Sequence, residues 1–332
     1  MTWMNSWSRF YEEYKGGKML NREKNFVSCV VYLHNDEEKI DGFLEKLCGV
    51  MRTNFEKYEI VCVNDGCVDA TVEKIRDFLK RTEDSHVVSL INLSYFQGVE
   101  AAMNAGRDLA VGDFLFEFDS CITDYEPELI MQVYRRSLEG YDVVAAAPLH
   151  AVSFTSRLFY AIYNRSSHLK GKIRQERFRI ISRRAINRVN QLNAYIPYRK
   201  ALYVNCGLKI DTITYENKTG EKRNHNKEER GNRSNLAFDT LIIFTDVLEK
   251  LSMFLSVVFL VVLLFMFGYI VASFFSTQKP VEGWLSLMGL MSFGFFMLFV
   301  MLTLIFKYLS VILNMSFKRQ RYVIEGVEKL TK

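Results

Sequence analysis

A chain of 332 residues, 49% hydrophobic and 14% aromatic, has room for one large domain plus an accessory region, and its apolar content points to a membrane part. The net charge of +5, with no basic recognition motif, argues against a nucleic-acid partner. Six cysteines (Cys29, Cys48, Cys62, Cys67, Cys121 and Cys206) form no CxxC pair and have no histidine at zinc spacing, so they read as reduced thiols in a cytosol-facing domain.

Residues 1–25 set Trp3, Trp7, Phe10 and Tyr14 at helical spacing with no apolar h-region. This predicts an amphipathic leader rather than a signal peptide, lying either on a membrane surface or on the domain. Phe26–Leu33 is a first strand by its β-forming apolar run, and it ends in His34-Asn35-Asp36-Glu37 before a helix to about Arg52. Tyr58–Val63 is a second strand, and Asn64-Asp65-Gly66 turns it sharply into a helix over Val72–Lys80. A carboxylate at a strand tip, beside a glycine turn and a helix start, suits a nucleotide crevice; an ordinary strand-to-helix turn reads the same way. Strand His86–Ile91, helix Gly98–Val111, strand Asp113–Phe118 with Asp119 at its tip, helix Pro127–Leu138 and strand Asp142–Ala147 complete an alternating series. Such alternation predicts an α/β domain, spanning 26–215, with a mostly parallel sheet covered by helices.

Phe154, Leu158, Phe159 and Ile162 make an apolar stripe beside Arg157, Arg165, Lys170, Lys172 and Arg174, predicting a helix over 153–170 that lies either in the bilayer interface or on the sheet. Residues 216–235 are polar without periodicity and read as a mobile loop, and 236–250 as an amphipathic juxtamembrane helix. Phe254–Phe275 and Trp284–Phe306 are uncharged and apolar on every face, each with the roughly 20 residues that a spanning helix needs. Lys250 before them and Lys307, Lys318, Arg319 and Arg321 after them place both ends, the large domain and a basic tail over 311–332 in the cytoplasm. Gly268, Gly289 and Gly294 allow close helix packing. Two spans without an intramembrane charge argue against a channel or transporter.

Several stretches resemble, in order, the motifs of family 2 glycosyltransferases, and the layout is similar to that of the polyprenyl-phosphate branch that includes dolichol-phosphate mannose synthase-like enzymes. The family's S-V-V-I-P-V-Y-N-E-E is matched by Ser28–Glu37, and D-D-G-S-x-D-x-T by Asn64–Thr71. L-S-R-N-F-G-K-E-A-A-x-x-A-G is matched by Leu93–Gly106, and D-A-D-L-Q-D-P-P-E-L-I by Asp119–Ile130 with one residue inserted; Glu139–Val144 reads E-G-Y-D-V-V. The resemblance implies a GT-A fold, a nucleotide-sugar donor (UDP- or GDP-linked), a polyprenyl phosphate acceptor and inverting transfer. It also implies Mg²⁺ or Mn²⁺ on the diphosphate, and association with membrane lipids, with a homo-oligomer (tetramers occur in the branch). By carry-over, Asn35, Asp36, Glu37, Asn64, Asp65, Gly98 and Ser120 bind the donor, Asp119 holds the metal, and Asp119, Asp124 and Arg179 serve catalysis. Arg177 and Arg233 are then the phosphate or lipid ligands.

The chain departs from the pattern where charge is carried. Asn64 replaces the first acid of D-D-G, Tyr95 replaces the arginine of L-S-R-N, Cys121 replaces the second acid of D-x-D, and Arg177 replaces the acid of D-F-R-L-L-S-R-R. The G-x-S-K-Y loop is reduced to Gly231-Asn232-Arg233-Ser234. Thiolate is a poor ligand for Mg²⁺. Two readings stand: a divergent transferase with a weakened or metal-independent donor site, or a silent relative that binds a partner, lipid or nucleotide.

Overall fold

The computed structural model describes residues 22–82, 87–149, 154–166, 173–191, 198–205, 207–217, 227–244, 247–275, 283–317 and 322–330. The leader over 1–25 lies outside the described residues except for its last four, where Glu23 bridges Phe55 in parallel register.

The amino-terminal half alternates strand and helix: β1 (Val27–Leu33), α1 (Ile40–Asn54), β2 (Tyr58–Asn64), α2 (Thr71–Arg81), β3 (Val87–Leu93), α3 (Val99–Leu109), β4 (Phe114–Phe118), α4 (Glu128–Leu138) and β5 (Val143–Pro148). β1 pairs in parallel with β2 on one side and with β4 on the other, and β2 pairs in parallel with β3. The chain thus winds outward through β2 and β3, then returns to the far side of β1. That reversal opens a crevice between the carboxyl ends of β1 and β4, where open α/β sheets receive ligands.

Every residue of β1 is buried, so the strand reads as continuous apolar sequence rather than alternation. Cys29, Val31 and Leu33 face Phe43, Leu44 and Leu47 of α1 and Ile130 and Tyr134 of α4. Val30 and Tyr32 face Ala102, Met103 and Ala105 of α3. The small residues of α3 set how closely it approaches the sheet. A Cβ placed at Gly106 would sit 2.2 Å from Val30 Cγ1 and 2.9 Å from Val63 Cγ2. Gly106→Ala should therefore destabilise the domain by about 1–3 kcal/mol, the usual cost of overpacking, measurable as a lower denaturation midpoint.

The carboxyl-terminal half departs from simple winding. After α5 (Phe154–Ser166), strand β6 (Phe178–Ser182) inserts antiparallel between β4 and β5; α6 (Arg183–Gln191) and α7 (Arg199–Asn205) follow, then β7 (Ile210–Tyr215) pairs in parallel with β5. The sheet is mixed, with parallel pairing predominating, in the order β7-β5-β6-β4-β1-β2-β3-β8. The described face of α5 packs on protein: Tyr163 is buried with Ile173 and Ala201, and Phe159, Tyr160 and Leu241 lie against them.

Three expectations are corrected here. The polar stretch 216–235 is not a loop throughout, because α8 (Lys227–Phe244) begins inside it. Lys, Glu and Arg favour helix, and this segment shows no apolar period because Gly231, Asn232, Ser234 and Asn235 are all exposed. The separate juxtamembrane helix over 236–250 is accordingly shared between the end of α8 and the start of α9 (Val247–Phe275). The region 311–332 is likewise no simple basic tail: α10 (Trp284–Phe317) runs into it, and β8 (Ile324–Lys329) then joins the sheet antiparallel to β3. Arg76 holds Glu328 of this strand, and Gln97 exchanges hydrogen bonds with the Val323 backbone just before it. Half-charged Ile-Glu-Gly-Val-Glu-Lys resembles a solvated tail in sequence and suits an edge strand in the fold.

Between α8 and β8 stand α9 and α10, 29 and 34 residues long, or roughly 44 and 51 Å at helical rise. They pack on one another: Ser252 Oγ lies 3.4 Å from Met301 Sδ, and the rings of Phe259 and Phe293 are 6.5 Å apart beside Gly294. Within α10, Gly289–Ile312 (24 residues, mean hydropathy 2.3) is long and apolar enough to cross a membrane. Among the described residues, α9 contributes a shorter apolar stretch, Ser252–Val262, so the paired spans read from sequence are supported in part.

Candidate active site

The crevice floor is made from the loops that leave β1, β2, β3 and β4. At the end of β1, Asn35 takes a left-handed backbone (φ 54°), and its Oδ1 accepts from the Val68 amide at 2.9 Å. The Asp36 amide donates to Thr71 Oγ1, the Glu37 amide donates to Asp69 Oδ2, and Glu37 Oε2 accepts from the Ala70 amide. These contacts staple the first loop to the second. His34 donates from Nδ1 to the Asp65 carbonyl at 2.7 Å, and its ring leans on Phe96 with centroids 4.6 Å apart.

Asp65 is fully buried and accepts from the amides of Gln97 and Gly98, at 2.7 and 2.8 Å, and from Tyr32 OH at 3.1 Å. Burial pushes its carboxyl up, while the two amides and the tyrosine pull it back down without cancelling the rise. Asp65 therefore pins the β3–α3 loop from beneath, and Gly66 gives that loop room: a Cβ there would lie 3.0 Å from the Phe96 amide nitrogen. Tyr95 is 60% exposed on the rim. Gly98 begins α3, and the Asn232 side chain of α8 comes so close that a Cβ at Gly98 would meet its Nδ2 at 2.0 Å. The Gly231–Ser234 segment thus stands over the crevice; Arg233 lies on α8, its side chain outside the described residues.

Asn64, in place of an acid, uses both ends of its amide. Oδ1 accepts from the Cys67 amide and Nδ2 donates to Asn92 Oδ1, each at 2.9 Å; Asn92 Nδ2 then donates to Glu328 Oε1 of β8 at 2.9 Å. A carboxylate at 64 cannot donate, so Asn92 would have to offer its oxygen to one acid or the other. Asn64→Asp should cost about 1–3 kcal/mol in denaturant unfolding, and Glu328→Gln in the same chain should recover most of it, because the new amide can donate to a flipped Asn92.

The floor between β4 and β6 is a buried ion-pair cluster. Glu117 on β4 is fully buried, and Arg179, across the antiparallel ladder on β6, meets it at 3.0 Å. Arg179 also reaches Asp119 at 2.7 Å and Glu176 at 2.9 Å. Arg199 at the start of α7 meets Glu100 at 2.8 Å, Glu117 at 2.7 Å and Asp119 at 2.8 Å. Tyr203 OH donates to Glu117 at 2.9 Å, and Arg107 lies beside Tyr203 at 3.4 Å. Both Arg179 and Arg199 are 1% exposed, whereas the Asp119 side chain is 20% exposed. Asp119 is the member of the cluster at the strand tip. Burial raises its carboxyl, but Arg179 and Arg199 outweigh that and hold it well below the usual carboxylate range. Burial lowers Arg179, and Asp119, Glu176 and Glu117 more than reverse it.

Asp124 and Arg177 form a separate pair, buried, with Arg177 Nε and Nη2 on the two carboxylate oxygens and Tyr215 OH donating to Asp124 at 2.8 Å. Arg177, expected on a phosphate, thus has its guanidinium on Asp124. Ser120 and Cys121 are nearly closed from solvent, and Cys121 Sγ faces the Tyr32 carbonyl at 4.0 Å.

The residues at the β4 tip do not fit a divalent cation. Each Asp119 oxygen already carries an arginine, and the second position of the motif is a buried thiol, a soft donor unsuited to Mg²⁺. Among the described residues, no group of three or more His, Cys, Asp or Glu is placed to hold a metal ion.

Sequence reasoning missed Arg199, Glu117, Tyr203 and Arg107. Glu117 left a usable signal: an acid inside the apolar strand Phe-Leu-Phe-Glu-Phe must find a buried cation. Arg199 left none, since it is near Glu117 only through the fold.

Among curated proteins, the chain is 28% identical over 196 residues to an uncharacterised glycosyltransferase of Synechocystis, covering 57% of this chain and 60% of that one. It is 26% identical to the uncharacterised glycosyltransferase YkcC of Bacillus subtilis, covering 91% and 94% of the two chains. The undecaprenyl-phosphate 4-deoxy-4-formamido-L-arabinose transferase of Photorhabdus laumondii is 25% identical, again with 91% and 94% covered. Among solved structures, glucosyl-3-phosphoglycerate synthase of Mycobacterium tuberculosis, in complex with Mn²⁺, UDP and phosphoglyceric acid, is 14% identical with a TM-score of 0.48, over 66% of this chain and 78% of that one. Residues 28–190, which hold the loops from β1 to β4 and the β6 arginine, match the family described as glycosyl transferase family 2, so the chain carries a family 2 glycosyltransferase domain.

Proposed function

We propose that the protein transfers a sugar from a nucleotide-sugar donor to a polyprenyl phosphate at the cytoplasmic face of a membrane. The observation that carries this reading is the continuity of the sheet around the helix pair. β1–β7 precede α9, and β8 follows α10 yet pairs with β3 at the edge of the same sheet. The helix pair is therefore tied to the domain at both ends, and Lys307 of α10 meets Asp239 of α8 at 3.1 Å. Asn232 of the same α8 lies against Gly98 at the start of α3, which joins the helix pair to the crevice through α8. Similarity along nearly the whole chain to a transferase named for undecaprenyl phosphate supports the acceptor class. A phosphate nucleophile is already anionic and needs little general-base help; cations that bring two anionic substrates together matter more. Arg179 and Arg199 behind Asp119 are the buried cations nearest the β4 tip.

The second reading, nucleotide binding without turnover, is favoured by the pairing of both candidate catalytic acids with arginines. The test is a screen of the purified protein with UDP- and GDP-sugars and undecaprenyl phosphate, with and without Mn²⁺, scored for lipid-linked sugar and for donor binding. Lipid-linked product from any donor supports transfer. Binding without product selects the silent relative, and absence of both removes the nucleotide reading altogether.

A further inference from the structure

The β4 tip carries a consequence for how a nucleotide is held, resting on the donor reading above. We propose that Asp119 is a positioning residue that holds two arginines at the strand tip, not a metal ligand, and that the crevice binds its nucleoside diphosphate independently of a divalent cation.

Three observations carry this. First, both oxygens of Asp119 are engaged: Arg179 Nη2 donates to Oδ2 at 2.7 Å and Arg199 Nη2 donates to Oδ1 at 2.8 Å. A cation at those oxygens would be brought within a few ångströms of two guanidiniums that are 1% exposed and cannot turn to solvent. Like charges at that spacing in a poorly hydrated site are strongly unfavourable.

Second, the arginines are themselves anchored. Arg179 is tied by Nη1 to Glu117 and by Nε to Glu176; Arg199 is tied by Nε to Glu100 and by Nη1 to Glu117. Four cations (Arg107, Arg179, Arg199 and Lys200) gather around five carboxylates (Glu100, Asp108, Glu117, Asp119 and Glu176). A divalent ion at Asp119 would have to compete with Arg179 and Arg199 for its two oxygens.

Third, the partner ligand is gone. Cys121 is 2% exposed with its sulfur toward the Tyr32 carbonyl, so it presents neither a hard donor nor an open one. The two changes belong together: a site that loses the second acid of D-x-D retains the first only as the acceptor of a fixed pair of guanidiniums.

The experiment uses the full chain in detergent micelles. Affinities for UDP, GDP, CDP, ADP and dTDP are measured by calorimetry in EDTA and again in Mn²⁺, and bound Mn²⁺ is followed separately by electron paramagnetic resonance. The expected result is one or more nucleotides binding with the same affinity, within about twofold, in both buffers, with no Mn²⁺ retained by the protein beyond that held by free nucleotide. Cys121→Asp should leave this unchanged while both arginines remain. Binding that strengthens about tenfold or more with Mn²⁺, or protein-bound Mn²⁺ in the wild type, overturns the inference and leaves the donor reading standing. Mn²⁺ binding gained by Cys121→Asp alone also overturns it, since the arginines would then not be what excludes the ion. No nucleotide bound in either buffer overturns the donor reading, and this inference with it.

Discussion

Arg179→Ala should destabilise the domain by about 3–5 kcal/mol, among the largest effects open to any single substitution here, because it leaves buried acids short of a partner. Arg179 spans three carboxylates, and one of them, Glu117, is fully closed from water. Arg199 still reaches Glu117 and Asp119, which keeps the loss near this range rather than beyond it. Denaturant unfolding in detergent would read the change as a shift in midpoint at constant slope. Arg179→Lys should recover only part of the loss, since a compact ammonium cannot span acids that the guanidinium meets through Nε, Nη1 and Nη2. Glu117→Gln should cost less in the Arg179→Ala background than in the wild type, giving a coupling of about 1 kcal/mol or more for the pair. A midpoint unchanged by Arg179→Ala would mean that the cluster is hydrated and contributes little.

The acid side of the cluster sets its pH window. Asp119 is held below its unfolded value by Arg179 and Arg199, so its contribution is fully present above the ordinary carboxylate pKa of about 3.9 and is lost only as pH falls through the depressed folded value. Stability lost between pH 8 and pH 5 therefore does not come from this group.

How much of this was legible in the sequence depends on whether the signal was local. β1 to β5 and the helices between them follow from apolar runs bounded by polar turns, and their observed limits differ from those read off the chain by one or two residues. Strand order across the second half was not legible. Phe178–Ser182 looked like a motif rather than a strand, and nothing in it says that it lies antiparallel between β4 and β5. β8 is half charged, and its pairing with β3 is fixed by Arg76, Asn92 and Gln97, all more than 200 residues away in sequence. The same limit applies to the site. The strand tips at Asn35, Asn64 and Asp119 were visible as turn chemistry, whereas Arg199 and Glu100 join Asp119 only when α7 and α3 fold onto β4. The substituted positions look like losses when read singly. In the fold, Asn64 has a matched amide in Asn92, and Arg177 has a matched acid in Asp124.

That matching makes Arg177→Asp, the change that restores the family's acid, the second large effect. Arg177 grips Asp124 with two nitrogens, and Tyr215 closes the remaining side at 2.8 Å. Both side chains are buried, at 9% and 0% exposure. A carboxylate in place of the guanidinium removes the counter-charge and sets two acids together, so the expected cost at pH 7 is about 3 kcal/mol or more. The pair should then take up a proton on folding, because repulsion and burial raise the folded pKa above the unfolded one. For a raised carboxylate, the lost stability is regained as pH falls through the folded value, so the variant should stabilise relative to wild type between pH 7 and about pH 5. Exchanging the charges, with Asp124→Arg added to Arg177→Asp, should recover part of the loss at pH 7. Denaturant midpoints measured at both pH values decide the matter. If the single variant is as stable as wild type at pH 7, water reaches the Asp124 pocket, and Arg177 is then available to a phosphate.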